Sequence, residues 1–209
     1  MMETAKRIAL YGGTFDPVHS GHIEIARKVL ELFEIEKVLF IPAQVAPHKV
    51  GRPVTEPIHR YAMLTLATQH DPRLSISTFE LDAPDRRYTV DTVEHFRKKF
   101  AGSTELFFIM GADSWSEITT WREWKRLLTT ITHIVVTRPG HQVDQTLPVP
   151  GARVLFTDAV MNDVSATSIR QLVAAGRFAE LAQLVPEPVA EYIRKYELYR
   201  DTNETELNS

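Results

Sequence analysis

The sequence predicts an α/β fold, a single doubly wound (Rossmann-like) parallel sheet with helices on both faces. Three observations predict it. Short, nearly unbroken apolar runs recur along the 209 residues, as expected of parallel strands buried on both faces. Segments with apolar residues at helical spacing separate these runs. No Pro/Gly-rich linker or internal repeat divides the chain, so residues 1–200 read as one domain, followed by a polar stretch, 201–209, expected to fray.

The elements follow in order. Ile8-Ala9-Leu10-Tyr11 is a buried strand closed by Gly12-Gly13. Ala26, Val29, Leu30 and Phe33 then mark the inner stripe of a helix, with Glu24, Arg27, Lys28 and Glu31 between them. Lys37-Val38-Leu39-Phe40-Ile41 is a second strand, stopped by Pro42, and the strand–helix–strand unit implies parallel pairing. Residues 57–69 form a helix with Pro57 in its first turn, 74–79 are extended, and 89–99 are helical. Leu106-Phe107-Phe108-Ile109-Met110 is a strand ending at Gly111, and a helix covers 121–128. Ile134-Val135-Val136 is another strand, ended by Arg138-Pro139-Gly140. A loop spans 140–151, a last strand 153–156, and closing helices 165–175 and 188–195.

Bulk properties narrow the function. With 24 Lys and Arg against 27 Asp and Glu, the net charge of −3 gives no field suited to nucleic acid or an anionic membrane. A polyanion site must therefore be built locally, from a few well-placed donors. The absence of cysteine excludes disulfides and thiolate chemistry. No run approaches the roughly 18 apolar residues of a membrane span. The opening Met-Met-Glu-Thr-Ala-Lys-Arg lacks the apolar stretch of a secretory signal. A cytoplasmic protein is expected, with neither membrane nor nucleic acid as partner.

The chemistry concentrates in Gly12-Gly13-Thr14-Phe15-Asp16-Pro17-Val18-His19-Ser20-Gly21-His22. The two glycines let the backbone turn sharply and a ligand come close. His19 and His22 share one face of a first helical turn, and Gly21 leaves that face unobstructed. Two imidazoles beside a helix N-terminus make a compact anion site. A triphosphate undergoing in-line displacement at its α-phosphorus needs such fixed donors. Competing readings are a plain turn, a pair of core histidines, or a His-x-x-His metal site, for which no third ligand is evident. A second element, Val164-Ser165-Ala166-Thr167-Ser168-Ile169-Arg170, starts a helix with Ser165 as N-cap and Ile169, Leu172 and Val173 as the buried stripe. Thr167 and Arg170 share a face there, so hydroxyl, guanidinium and backbone N–H groups can meet one anion.

The eleven-residue run resembles the signature of the HxGH nucleotidyltransferases, a superfamily that includes bacterial nicotinate-nucleotide and phosphopantetheine adenylyltransferases. The resemblance implies transfer of AMP from ATP. The second element is similar to the family's Ile-Ser-Ser-Thr-x-x-Arg, which holds the β- and γ-phosphates, although Val164 and Ala166 depart from it and Ala166 loses a hydroxyl. On this resemblance ATP would meet Gly12, Gly13, Thr14, Phe15, His19, His22, Gly111, Asp113, Ser165, Thr167 and Arg170.

Three further segments resemble nicotinate-nucleotide adenylyltransferases in particular. They are Ile41-Pro42-Ala43-Gln44-Val45-Ala46-Pro47-His48-Lys49, Arg87-Tyr88-Thr89-Val90-Asp91-Thr92, and Gly111-Ala112-Asp113-Ser114 with Trp121-Arg122. The resemblance implies that His48 and Lys49 reach phosphates and that Trp121 stacks on a pyridine ring. Backbone N–H groups near Val90 and Arg122 would take the nicotinate carboxylate, and Asp113 would accept from a ribose hydroxyl. An indole face suits a cationic ring, and backbone donors favour a carboxylate over an amide. Thr14, Asp16 and Thr89 complete the acceptor set, with Asp16 ordering the turn. The plain alternative for Trp121 is core or lid packing.

The reading implied is a nicotinate-nucleotide adenylyltransferase making deamido-NAD and pyrophosphate from ATP and nicotinate mononucleotide. His19, His22, Lys49 and Arg170 would act by positioning and charge stabilisation, without a covalent intermediate. Mg²⁺ would accompany the triphosphate, with no protein metal site. The rivals are a superfamily member with nicotinamide mononucleotide or phosphopantetheine as acceptor, and a non-catalytic nucleotide sensor.

Overall fold

In the computed structural model, which describes residues 6–44, 54–82, 88–137, 143–146, 149–158 and 164–200, the apolar runs form six strands. They are β1 (Lys6–Gly13), β2 (Lys37–Pro42), β3 (Leu74–Ile76), β4 (Thr104–Gly111), β5 (Thr132–Val136) and β6 (Val154–Thr157). All pair in parallel, in the order β3-β2-β1-β4-β5-β6. The helices between and after them are α1 (Ser20–Leu32), α2 (Pro57–Thr68), α3 (Thr89–Lys99), α4 (Ala112–Ser116), α5 (Trp124–Thr130), α6 (Ala166–Ala174), α7 (Phe178–Leu184) and α8 (Glu187–Lys195).

Strand residues alternate between two cores, as a period of two requires. Ala9, Tyr11, Phe40, Phe107 and Ile109 pack with Ile23 of α1, Met63 of α2, Ile169 of α6 and Val189 of α8. Ile8, Leu10, Leu39, Phe108 and Val135 face the other way, onto Val93 and Phe96 of α3 and Leu127 and Leu128 of α5. The sheet is therefore doubly wound, as the sequence predicts. β1 pairs with β2 from Ile8↔Lys37 to Gly13↔Pro42 and with β4 from Lys6↔Thr104 to Tyr11↔Ile109. The chain winds outward from β1 through β2 to β3, then returns to β4 on the far side of β1. The carboxyl ends of β1 and β4 are consequently a topological switch point, where a crevice opens.

Two predicted elements differ and one helix is added. The helix expected over 121–128 starts only at Trp124, as α5, and α4 and a 3-10 turn at Ile118–Thr120 precede it. Trp121 is extended (φ −74, ψ 146) and Glu123 is left-handed (φ 51), so neither belongs to α5. The strand expected over 74–79 keeps three residues. Beyond it Ser77 N–H still bonds Phe40 O at 2.9 Å, but Phe79 N–H turns back to Ser77 Oγ at 3.1 Å. The helix α7 is an addition that the sequence pattern did not reveal. Among the described residues no helix is long and apolar enough to cross a membrane.

Candidate active site

The two glycines that end β1 line the cleft, as expected, and packing adds a second constraint on them. Gly12 and Gly13 are still strand residues, and neighbouring side chains crowd a Cβ there, severely at Gly13 and tightly at Gly12. A Cβ on Gly13 would lie 2.8 Å from Phe15 Cζ, and one on Gly12 3.3 Å from Phe108 Cζ. The left-handed residue of the turn is Phe15 itself (φ 51). That conformation costs a bulky residue on the order of 1 kcal/mol or more, offset here by burial of the ring. Phe15 packs edge-on to Tyr11 at 5.5 Å, Phe40 at 5.4 Å and His22 at 5.0 Å. Its side chain thus serves the core, and only its backbone faces the turn. The peptide Asp16–Pro17 that follows is cis.

His19 is the N-cap of α1 and His22 its third helical residue, so the expected shared face is realised. Their rings stack at 3.6 Å between centroids. His19 N–H donates to His22 Nδ1 at 3.2 Å. With Nδ1 used as acceptor, the proton of a neutral ring sits on Nε2, where it can be donated outward. The N–H groups of Ser20 and Gly21 have no acceptor within the helix, and the helix dipole adds positive potential at the same end. Imidazole donor, amides and dipole all favour an anion beside the turn.

The second phosphate element arrives at this turn from the far end of the chain. Ser165 caps α6 as predicted, its Oγ accepting Ser168 N–H at 3.1 Å. Thr167 and Arg170 do share a face, with Arg170 Nη2 donating to Thr167 Oγ1 at 3.1 Å. Arg170 Nη1 also donates to the carbonyl of Asp16 at 2.7 Å, across 154 residues of sequence. A guanidinium held by two fixed acceptors is aimed before any ligand binds.

Behind the turn lies a polar knot that the sequence reading missed apart from Asp16. Asp16 is buried, and its Oδ1 accepts from Tyr199 Oη at 2.8 Å while Oδ2 accepts Thr55 N–H at 3.3 Å. Arg60, on α2, is fully buried. Its Nε donates to Thr55 O at 2.9 Å, Nη1 to Thr14 O at 2.9 Å and Ala43 O at 2.7 Å, and Nη2 to Gln44 O at 3.3 Å. Burial pulls Arg60 below the ordinary guanidinium pKa, and the negative charge of Asp16 works against that pull. Burial also raises the Tyr199 phenol, with Asp16 adding to the effect, so the phenol stays protonated as a donor. A signal for Arg60 exists in the sequence: it shares a helical stripe with the buried Met63 and Leu64, so its charge falls on an inward face.

The cleft itself opens at the switch point. Gly12, Gly13, Thr14, Ala43, Phe108, Gly111 and Ser114 line it together with Glu80, Tyr88, Thr89, Thr92, Trp121 and Arg122. Trp121 lies with its ring centroid 6.5 Å from that of Phe108, at 86°, and its buried Nε1 has no partner among the described residues. The Arg122 guanidinium covers the Tyr88 ring at 4.6 Å. Helix α3 starts at the cleft, with Tyr88 as N-cap and its N–H held by Asp91 Oδ2 at 3.3 Å. Thr92 Oγ1 donates to Glu80 at 2.6 Å. Of the expected acceptor residues, Thr14, Thr89, Trp121 and Arg122 come together here. The Val90 side chain is core, leaving its amide for the helix end. Asp113 is exposed on α4 and does not line the cleft, and His19, His22, Thr167 and Arg170 lie beside it, joined through the 14–16 turn. His48, Lys49 and Arg87 fall outside the described residues. Among the described residues no group of three or more His, Asp or Glu side chains gathers as a metal site.

Known proteins share this sequence and architecture. A family model described as cytidylyltransferase-like matches residues 10–172. A protein of Thermoanaerobacter sp. (strain X514), named "Probable nicotinate-nucleotide adenylyltransferase", is 40% identical, covering 97% of this chain and 99% of its own. One of Thermomicrobium roseum with the same name is 41% identical over 93% of this chain and 92% of its own. The solved structure "Plasmodium falciparum nicotinic acid mononucleotide adenylyltransferase complexed with NaAD" superposes with a TM-score of 0.78 over 93% of this chain and 97% of its own. At 20% identity that last likeness is one of fold.

Proposed function

Because this chain belongs to the cytidylyltransferase-like family, and within it to the nicotinate-nucleotide adenylyltransferases, we propose that its cleft transfers AMP from ATP to nicotinate mononucleotide, giving deamido-NAD and pyrophosphate. The observation that carries this reading is the bond from Arg170 to the Asp16 carbonyl. It joins the two phosphate elements at a turn that also borders a tryptophan-lined cleft.

The mononucleotide's phosphate oxygen attacks the α-phosphorus of ATP, a new P–O bond forms, and the bond to the bridging oxygen breaks as pyrophosphate leaves. The attacking phosphate is already ionised, so no strong general base is required. His22, donating from Nε2, meets charge on the α-phosphoryl oxygens, and His19 orients His22 through its backbone N–H. Thr167 and Arg170 meet the β- and γ-phosphates, with Ser165 holding the start of α6 in place. The loop that carries His48 and Lys49 reaches the phosphates of ATP and of the mononucleotide, with Lys49 supplying charge. Mg²⁺ enters with the triphosphate as part of the substrate and screens its charge.

On the acceptor side, Trp121 stacks on the pyridinium. The amides at the start of α3, at Thr89 and Val90, and the amide of Arg122 take its carboxylate. An amide group in that place would bring N–H donors against donors, which disfavours it. A cytoplasmic setting and a single domain over 1–200 complete the proposal.

The test is pyrophosphate release with ATP and three acceptors in turn: nicotinate mononucleotide, nicotinamide mononucleotide and phosphopantetheine. The acid is expected to turn over fastest. Faster release with phosphopantetheine, or ATP binding with no release on any of the three, would replace this reading.

A further inference from the structure

Arg60 carries a full charge to the interior and spends it on backbone alone. Among the described residues no carboxylate lies within salt-bridge distance of it. Four of its five N–H donors go to carbonyls from three separate segments: the turn after β1, the end of β2, and the entry to α2. Two of those carbonyls, of Thr14 and Ala43, belong to residues that line the cleft.

Holding a carbonyl fixes the amide behind it. In a trans peptide the C=O and the next N–H point in opposite directions. With the Thr14 carbonyl on Arg60, the Phe15 N–H points away from it. The Ala43 carbonyl fixes the Gln44 N–H in the same way. Among the described residues neither of these two amides has an acceptor. A cation on the carbonyl end also polarises the peptide and strengthens its N–H as a donor. The Thr14–Phe15 peptide is adjacent to Asp16, whose carbonyl Arg170 holds.

We propose that Arg60 is a positioning residue for the phosphate chemistry: it orients the Thr14–Phe15 and Ala43–Gln44 peptides so that their amides face the reacting phosphates. The inference rests on the adenylyl-transfer reading and deepens it. A lysine retains the charge but replaces the planar fork with a single nitrogen, which cannot span four carbonyls.

The test compares Arg60→Lys and Arg60→Met with Met63→Ala, a buried neighbour on the same helix face chosen to match the loss in Tm. Loss of preoriented donors lowers kcat by about 100-fold in both Arg60 variants, with KM for ATP and mononucleotide shifting less than about threefold. Met63→Ala keeps kcat within about threefold at equal Tm loss. A folded Arg60 variant with kcat within threefold of the parent overturns the proposal, as does an equal kcat loss in Met63→Ala. If neither Arg60 variant folds, the parent enzyme decides by NMR. The buried Nε–H and Nη–H resonances of Arg60 shift when ATP binds if the proposal holds, and unmoved resonances in saturated enzyme overturn it. That readout needs no turnover, so a parent that is inactive with nicotinate mononucleotide but releases pyrophosphate with another acceptor, with a responding Arg60, would sink the acceptor assignment and leave this inference standing.

Discussion

The two halves of the proposed site, the turn that would take the phosphates and the cleft beside it that would take the ring, are built in opposite ways. The phosphate half is tied together by charge-bearing groups drawn from remote parts of the chain. Arg170 reaches the Asp16 carbonyl across 154 residues and Tyr199 its carboxylate across 183, while Arg60 holds four carbonyls at once. The ring half is an aromatic wall of Trp121, Tyr88 and Phe108 with few polar ties, and the Trp121 Nε1 is without a partner among the described residues. On the proposed function, the contrast follows from what each half must do. Charge that develops in a transition state is stabilised only by donors already aimed at it. A flat cation is recognised by a face, which needs position along one axis and little else.

The largest expected effect separates the halves by kinetics. His22→Ala removes a donor to the α-phosphoryl group and should lower kcat by about 10²–10³, with circular dichroism and Tm little changed. A folded variant with near-parental kcat would remove His22 from the transition state.

The next effect lies beneath the ring half. His133 is fully buried in β5, its ring 5.8 Å from that of Phe108, and burial pulls its pKa from 6.5 to about 4. Above pH 6.5 neither the folded nor the unfolded chain is protonated there. As pH falls from 6.5 toward 4, the unfolded chain takes a proton that the fold refuses, and stability declines by up to about 3 kcal/mol. Urea midpoints at pH 7 and pH 5 measure this. His133→Leu should flatten the difference, and an unchanged slope would assign the acid sensitivity elsewhere.

Trp121→Ala should raise KM for nicotinate mononucleotide about tenfold while KM for ATP moves little. Equal losses for both substrates would return Trp121 to a packing role. The smallest effect probes the knot behind the phosphate half. Tyr199→Phe deletes one hydrogen bond to Asp16 and should cost about 1 kcal/mol in denaturant unfolding, with a smaller change in turnover. A neutral Tyr199→Phe would show that Asp16 holds the turn without it.

Legibility in the sequence followed the same division. The strands could be read because burial on both faces writes continuous apolar runs, as in Leu106 to Met110, and the doubly wound order followed from their alternation with helices. The pairings in the proposed phosphate half could be read because they lie at short local spacings, His19 with His22 and Thr167 with Arg170. Its support could not, since Arg60 and Tyr199 act through single long-range bonds that leave no periodic trace. The region around Trp121 was misread as helix because Trp, Arg and Leu fit a helical stripe, while a 3-10 turn and the left-handed Glu123 break it. Five- and seven-residue helices such as α4 and α7 are held by tertiary contacts rather than by local propensity. The glycines at the end of β1 do line the cleft, but the ring of Phe15 that crowds a Cβ on Gly13 is visible only in three dimensions.

The central claim is that this cleft works by positioning and charge alone, with the acceptor attacking ATP directly. The stereochemical course at the α-phosphorus tests it most directly. With one diastereomer of ATPαS and nicotinate mononucleotide, a single in-line displacement gives a product with inverted configuration at that phosphorus, readable by ³¹P NMR. Retention would require two displacements through a nucleotidyl-enzyme and would contradict the account.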